Sequence, residues 1–232
     1  MKIYFSFDDG HPDDFRLIKL FEKYQFPIML FIPRYNTENF IMTSDNIKSI
    51  KSEIVEIGAH TYNHKRLNIV NKEEILFELI KGQHYLEDLL SEPINHFCFP
   101  GGQYNNLSMN LALDSFSTIR TAETICLNHN KPIINTFFHF YNRKKTSIIF
   151  NSFKNISFNN GILYSLYYSN SYFDFLKKYI SLSSSENTND ELIIWGHSWE
   201  ISKFNLWQEL EDLLNFISIN HKSDVYKYSD II

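Results

Sequence analysis

Short apolar runs alternate with longer amphipathic stretches from one end of the chain to the other. Residues 27–33 are almost continuously apolar, which is typical of a parallel strand buried on both faces. Residues 13–24 and 71–90 instead repeat apolar positions at helical spacing, and Asn71 is placed to cap the second of these helices. This repeated strand and helix order predicts a parallel sheet covered by helices.

The full pattern predicts strands separated by helices along the whole chain. The predicted strands are 2–7, 27–33, 53–59, 95–100, 117–121, 132–140, 192–196 and 224–228. The predicted helices are 13–24, 43–50, 71–90, 106–113, 171–180 and 205–217. The pattern weakens over residues 140–171, where we expect an irregular insertion or a small hairpin, and 181–190 reads as a polar loop. We find no linker, and we therefore expect residues 1–232 to form one domain.

Composition narrows the class of protein. Hydrophobic residues make up 44% of the chain, and the net charge of −5 argues against a nucleic-acid-binding surface. No apolar run approaches the ~20 residues of a membrane span. The first residues lead directly into a strand, so we expect no signal peptide. Cys98 and Cys126 are too few for a disulfide framework, so we expect thiols and a cytoplasmic location.

Candidate chemistry lies where predicted strands end. Asp8 and Asp9 close the first strand, and His60 and His64 follow the third. One carboxylate and two imidazoles make an incomplete metal shell, and a spare carboxylate stands where a base would act on water. The spacing of four places both histidines on one face if the chain turns helically after the strand. Pro100, Arg120 and His197 also fall at strand ends, and an α/β barrel would bring all these positions onto one rim.

Four segments together resemble the motifs of the polysaccharide deacetylases, a family of metal-dependent carbohydrate esterases. They are Ser6-Phe7-Asp8-Asp9-Gly10, His60-Thr61-Tyr62-Asn63-His64, Phe97-Cys98-Phe99-Pro100-Gly101-Gly102 and Leu192-Ile193-Ile194-Trp195-Gly196-His197. They occur in the family's order and cover almost the whole chain. The resemblance implies an α/β fold, a distorted barrel of about seven strands.

The resemblance also implies roles for individual residues. Asp9, His60 and His64 would bind one divalent metal ion, Asp8 would be the general base, and His197 the general acid. Zinc suits this mixture of nitrogen and oxygen ligands best, and cobalt or nickel would also suit it.

Other positions depart from the family pattern or remain open. The arginine that begins the family's third motif is missing, and Arg120 could orient Asp8 in its place or form an ordinary salt bridge. Trp199 could stack on a sugar ring or pack against the end of the barrel. We expect Pro100 and Tyr104 at the wall of the substrate site, with backbone N–H groups near Gly101 available to an oxyanion.

The leading functional hypothesis is a metal-dependent deacetylase of an N-acetylated, or else an O-acetylated, sugar. Candidate substrates are a nucleotide sugar or a lipid-linked precursor of a surface polysaccharide. Two alternatives remain: a hydrolase of a non-sugar amide, and a catalytically inactive carbohydrate-binding domain. The presence of Asp8 argues against the inactive domain, because a protein that only binds needs no base beside its ligands. We expect a small-molecule or glycan partner, with no nucleic acid and no membrane span.

Overall fold

The computed structural model describes residues 1–127, 129–155, 159–186 and 188–231. Within these ranges, eight strands form one sheet in the order β6-β5-β4-β3-β2-β1-β8-β7, and every pair of neighbouring strands is parallel. The sheet curls into a half-barrel with helices around its outer face. The expected distorted α/β barrel is therefore confirmed, with eight strands rather than about seven.

Most elements lie close to their predicted positions. The strands are β1 (Lys2–Asp8), β2 (Ile28–Ile32), β3 (Val55–Ala59), β4 (His96–Cys98), β5 (Thr118–Arg120), β6 (Ile133–Ile134), β7 (Phe138–His139) and β8 (Glu191–Gly196). The helices are α1 (Asp14–Tyr24), α2 (Ser44–Ser49), α3 (Lys72–Leu90), α4 (Asn106–Leu113), α5 (Thr146–Lys154), α6 (Asn160–Tyr168), α7 (Tyr172–Ser185), α8 (Ser198–Lys203) and α9 (Trp207–Asn220). As predicted, Asn71 caps α3, because its side chain accepts a hydrogen bond from the backbone N–H of Glu74. No helix of the described ranges combines the length and the apolar character of a membrane span.

Alternation along the strands divides the core into an outer and an inner layer. Ile3, Phe5 and Phe7 of β1 pack in the large cluster between sheet and helices. Tyr4 points to the other face, into a smaller cluster that fills the barrel interior. Because successive side chains on a strand face opposite sides, Asp8 shares the interior face with Tyr4. The barrel interior therefore leads directly to the first carboxylate.

A short C-terminal turn closes the bottom of the barrel. Tyr228 and Ile231 are buried within the inner cluster, and the Tyr228 ring lies edge-on to Phe31 of β2 with centroids 5.6 Å apart. The strand expected over 224–228 is absent there. A 3-10 turn spans Lys222–Asp224 and another spans Tyr228–Ile231, with a single bridge between Ile3 and Val225.

The strand expected over 132–140 is wrong in its continuity. Two short strands replace it, since β6 pairs with β5 at one edge of the sheet and β7 pairs with β8 at the other edge. The chain therefore crosses the opening of the half-barrel between Ile134 and Phe138. A single straight strand could not reach both edges.

Two other expectations about the last third are also wrong. Residues 140–171 contain the helices α5 and α6 rather than an irregular insertion, although 156–158 lie outside the described residues. The polar loop expected over 181–190 begins later, because α7 continues to Ser185. Residues 181–185 include four serines and are still helical, since the apolar residues of α7 recur on one buried face.

Candidate metal centre and its acid–base neighbours

Asp9, His60 and His64 meet at the rim formed by the carboxyl ends of the strands. The Oδ1 atom of Asp9 lies 3.0 Å from Nε2 of His64 and 3.6 Å from Nε2 of His60. One potential ligand atom from each residue lies within 4.8 Å of those of the other two. Ligands of a zinc ion stand roughly 3–3.5 Å apart, as bond lengths near 2 Å in a tetrahedron require. These three side chains thus fit a divalent metal ion.

A left-handed turn after β1 directs Asp9 towards the histidines. Asp9 has φ 83° and Gly10 has φ 63°, a conformation that costs a non-glycine residue energy. The N–H of Asp9 donates to the carbonyl oxygen of Phe31 at 3.0 Å, which ties the turn to β2. The two adjacent carboxylates consequently face different groups, as the metal and base roles require.

The loop that carries both histidines is not helical. Thr61 has φ 63° and His64 has φ 55°, so left-handed residues rather than a helical turn place both imidazoles on one side. The helical turn on which the spacing argument depended is not formed, although the histidines do converge. The Nδ1 atom of His60 donates to the carbonyl oxygen of Cys98 at 2.8 Å, leaving Nε2 as an acceptor that faces Asp9.

Glu78, a buried acid on α3, holds this loop and was not identified from sequence. Its carboxylate accepts the backbone N–H groups of Tyr62 at 3.0 Å and Asn63 at 2.7 Å, and the Asn63 side chain at 2.7 Å. Gly82, one turn further along α3, lets the helix approach, since a Cβ there would lie 2.8 Å from the carbonyl carbon of Thr61. The helix therefore acts as the support of the histidine loop.

Arg120 lies against Asp8 inside the barrel. Its side chain is fully buried and donates to Oδ2 of Asp8. The guanidinium lies between the rings of Phe31 and Trp195, at 5.2 and 4.8 Å from their centroids. Burial lowers the pKa of Arg120, but the charge and the hydrogen bond of Asp8, together with Cys98 and Tyr228, raise it above its ordinary value. Oδ1 of Asp8 has no hydrogen-bond partner among the residues that the structure describes, so one oxygen is anchored and the other is left for the site.

His197 follows β8 and is paired with Glu200, one turn into α8. The Nδ1 atom of His197 lies 2.6 Å from Oε2 of Glu200. Burial lowers the pKa of His197, but the Glu200 hydrogen bond and the charge of Asp9 outweigh it and raise the pKa to about 9. For Glu200 itself, burial opposes ionisation, and the hydrogen bonds from His139 and His197 bring its pKa down to about 2. This pair is therefore an imidazolium and a carboxylate at neutral pH.

The pair extends to His139 and Arg143. Nε2 of His139 lies 3.0 Å from the same Glu200 oxygen, and Arg143 lies 3.0 Å from Nδ1 of His139. Burial lowers the pKa of His139 to about 4, so the neutral ring donates from Nε2 and accepts Arg143 at Nδ1. His139, His197 and Glu200 could also hold a metal ion by their separations. Nε2 of His139 and Nδ1 of His197 are already engaged with one oxygen of Glu200, which favours the acid–base interpretation.

Sequence signals for these neighbours existed. Glu200 lies three residues after His197, a spacing that makes side chains neighbours once the segment is helical. His139 ends a strand, like the other rim residues.

The three residues expected at the wall of the substrate site, Trp199, Pro100 and Tyr104, each have a different environment. Trp199 is half-buried, and its Nε1 donates to Oδ2 of Asp9 at 2.8 Å, so its ring is fixed by the metal-ligand candidate. Pro100 is buried, and Tyr104 stacks on Phe99 with centroids 5.0 Å apart. The N–H of Gly102 donates to the carbonyl oxygen of Phe99 at 2.9 Å and is thus occupied within the turn.

Fold and rim together place the chain in the class of curled parallel α/β proteins with their chemistry at the carboxyl ends of the strands. The polysaccharide deacetylase family profile matches residues 1–115. The chain is 30% identical over 98 residues to a peptidoglycan deacetylase of Helicobacter pylori, a match that covers 42% of this chain and 32% of that protein. The chain thus spans about a third of the length of this curated relative. It is a divergent member of the polysaccharide deacetylase family, as the motifs indicated.

Solved structures agree on the fold. The PuuE allantoinase superposes with a TM-score of 0.68 at 12% identity, covering 99% of this chain and 88% of that one. A pseudoenzyme of the CE4 family from Bacillus anthracis superposes with a TM-score of 0.55 at 15% identity, covering 97% and 62%. These superpositions establish the barrel fold. At such low sequence identities they leave the reaction open.

Proposed function

We propose that the protein is a metal-dependent hydrolase that removes the acetyl group from an N-acetylated, or alternatively an O-acetylated, sugar. The observation that carries this proposal is the division of labour between neighbouring carboxylates. Asp9 faces two imidazoles, whereas Asp8 is anchored through Oδ2 by Arg120, and its Oδ1 has no hydrogen-bond partner within the described part of the chain. A protein that only binds sugar needs a metal-ligating carboxylate at most. It does not need a second carboxylate paired with a buried arginine beside the first.

Each residue then has a chemical role. A divalent ion held by Asp9, His60 and His64 would polarise the acetyl carbonyl and make a water molecule more acidic. Oδ1 of Asp8 accepts the proton of the attacking water. His197, protonated and held through Nδ1 by Glu200, presents Nε2 to the leaving amine and donates a proton as the C–N bond breaks.

The substrate is proposed as a nucleotide sugar or a lipid-linked precursor of a surface polysaccharide, handled in the cytoplasm. Zinc is the proposed metal, because the ligand set is mixed nitrogen and oxygen. The family membership supports deacetylation of a glycan, and the relative from Helicobacter pylori is a peptidoglycan deacetylase. Similarity of fold to an allantoinase keeps a non-sugar amide as the competing substrate class.

One experiment separates these possibilities. Acetate release is measured from N-acetylglucosamine oligosaccharides and a nucleotide-linked N-acetyl sugar, and ring opening is measured with allantoin. We expect acetate release that depends on added zinc. Hydrolysis of allantoin alone would assign the protein to the amide class. Full metal occupancy with no turnover of any substrate would identify an inactive domain.

Two matched variants test the roles. Asp8→Asn should retain the metal and lose activity by about 10²–10⁴-fold, because the amide cannot accept the proton. Asp9→Asn should lose metal in elemental analysis. The opposite pattern would exchange the two assignments.

A further inference from the structure

The helices α5 and α6 follow one another along the chain, and residues 146–155 and 159–168 are here together called the 146–168 hairpin. Nζ of Lys145, just before α5, donates to the carbonyl oxygen of Ser169, just after α6, at 2.5 Å. The beginning of α5 and the end of α6 are therefore close together, and α6 packs along α7. At the end of α5, Lys154 pairs with Glu123 at 2.8 Å, which joins this helix to the chain that follows β5.

The burial of polar and apolar side chains on the hairpin is the reverse of that on an ordinary pair of surface helices. Its buried positions include two serines, Ser152 of α5 and Ser165 of α6, next to Ile148 and Ile162. Its large apolar side chains point outward instead. They are Ile149 37%, Phe150 74%, Phe153 69%, Leu163 48%, Tyr164 53%, Tyr167 80% and Tyr168 54% exposed. Helices normally bury this face, and a concentration of exposed apolar side chains marks a contact surface.

The charge around the hairpin is opposite to that of the rest of the chain. Residues 141–178 carry six lysines and arginines and one aspartate, whereas the remainder carries 16 basic and 26 acidic residues. Lys177 and Lys178 line an open groove of about 630 Å³ together with Tyr164, Tyr168 and one acid, Asp174, which lies 3.9 Å from Nζ of Lys178. Cations and tyrosines therefore border the same concave surface. This combination complements an anionic partner.

We propose that the 146–168 hairpin docks on the surface of an anionic lipid bilayer. Aromatic and aliphatic side chains enter the headgroup region, and lysines beside them pair with lipid phosphates. A second copy of the chain would bring like charges together. Four of the seven exposed apolar side chains, those of Ile149, Phe150, Phe153 and Leu163, offer no hydrogen bonds to the hydroxyl groups of a glycan. The lipid surface satisfies both the apolar and the cationic parts.

Docking would also orient the catalytic rim. Arg143 contacts His139 of the acid–base network, and α5 begins three residues later at Thr146. The hairpin thus starts beside the rim, and a bilayer held by it lies next to the opening of the site. This inference goes beyond the proposed function and does not depend on catalysis.

Vesicle co-sedimentation of the full chain tests the proposal. Vesicles of phosphatidylcholine are compared with vesicles of phosphatidylcholine mixed with phosphatidylglycerol, at low and at high sodium chloride. We expect binding to the anionic vesicles that weakens as salt rises, because screening reduces the lysine contribution. Failure to bind anionic vesicles, or equal binding to both compositions, would overturn the proposal.

Matched variants locate the surface. Phe150→Gln with Tyr167→Gln, and separately Lys177→Gln with Lys178→Gln, should each lower the partition coefficient by about tenfold or more. Phe40→Gln removes an aromatic side chain that is 79% exposed outside the hairpin, and it should have no effect. Thermal unfolding midpoints report whether each variant is folded.

Other occupants give distinct results. A dimer in sedimentation that the Phe150 and Tyr167 variant dissociates would assign the face to a second copy. Retention on an N-acetylglucosamine polymer that the same variant abolishes would assign it to a glycan. Either result, without vesicle binding, would contradict the lipid proposal.

Discussion

Replacing Glu200 by Gln tests the acid half of the mechanism most directly. The Glu200 carboxylate accepts from Nδ1 of His197 at 2.6 Å and from Nε2 of His139 at 3.0 Å. Glutamine has nearly the same shape and lacks the negative charge. The change therefore removes the interaction that keeps His197 protonated and largely preserves packing.

The magnitude follows from the pKa of His197. The difference between the ordinary 6.5 and about 9 corresponds to about 3 kcal/mol in favour of the protonated ring. Glu200 supplies the largest stabilising share, and Asp9 supplies a share that a bound cation would cancel. We expect Glu200→Gln to lower the pKa of His197 by one unit or more. Loss of its positive charge then begins near neutral pH.

The assay is the pH dependence of kcat/KM for amide deacetylation. Because the general acid must carry a proton, its deprotonation defines the alkaline limb of the profile. That limb should move to lower pH by about one unit or more in Glu200→Gln. Glu211→Gln removes a carboxylate that pairs with Lys23 on the surface, and it should leave the profile in place.

The free energy of unfolding, measured as a function of pH, gives an independent test of the His197–Glu200 pair. The raised pKa of His197 stabilises the folded state fully below pH 6.5, and this contribution is lost as pH rises towards 9. The lowered pKa of Glu200 stabilises above pH 4.5, and this contribution is lost as pH falls towards 2. The stability difference between wild type and variant should therefore peak between pH 4.5 and 6.5. A fall in kcat with an unmoved alkaline limb and a pH-independent stability difference would refute the reasoning.

Three further predictions concern groups beneath and beside the rim. Glu78→Ala should weaken metal binding by about 10–100-fold in chelator competition, because the histidine loop loses its support; an unchanged affinity would show that the loop holds itself. Arg120→Met should destabilise the fold by about 3–5 kcal/mol in urea unfolding, since it leaves Asp8 buried and unpaired, and adding Asp8→Asn should recover part of this loss. Burial raises the pKa of Asp14 to about 8, so wild-type stability falls as pH rises from about 4 to 8, and Asp14→Asn should be more stable than wild type at pH 8 with little difference near pH 4.

The first half of the site could be predicted because its signals are local. Asp8 and Asp9 end an apolar run, and His60 follows another. The alternation of strands and helices makes these strands parallel, and this places the three residues at one rim. The conformation of the histidine loop could not be predicted. It depends on Glu78, which is 15 residues distant from Asn63 in the chain and meets it only after α3 packs.

The 146–168 hairpin was missed for a different reason. Its large apolar residues face outward and serines occupy inner positions, so the usual relation between apolar spacing and burial is reversed. Each helix also has only nine residues. The break between β6 and β7 was missed because it depends on where the half-barrel opens. That position is set only when all the strands have assembled into the sheet.

The position of β1 in the sheet has a consequence for synthesis of the protein. Strand β1 carries both carboxylates, and it pairs with β2 on one side and with β8 on the other, so that Lys2 stands opposite Glu191. Nearly two hundred residues must leave the ribosome before this pairing can form, and such distant contacts slow folding. Until then, one edge of an apolar strand stays open to other chains. Newly made protein should therefore depend on chaperones more than its modest length suggests.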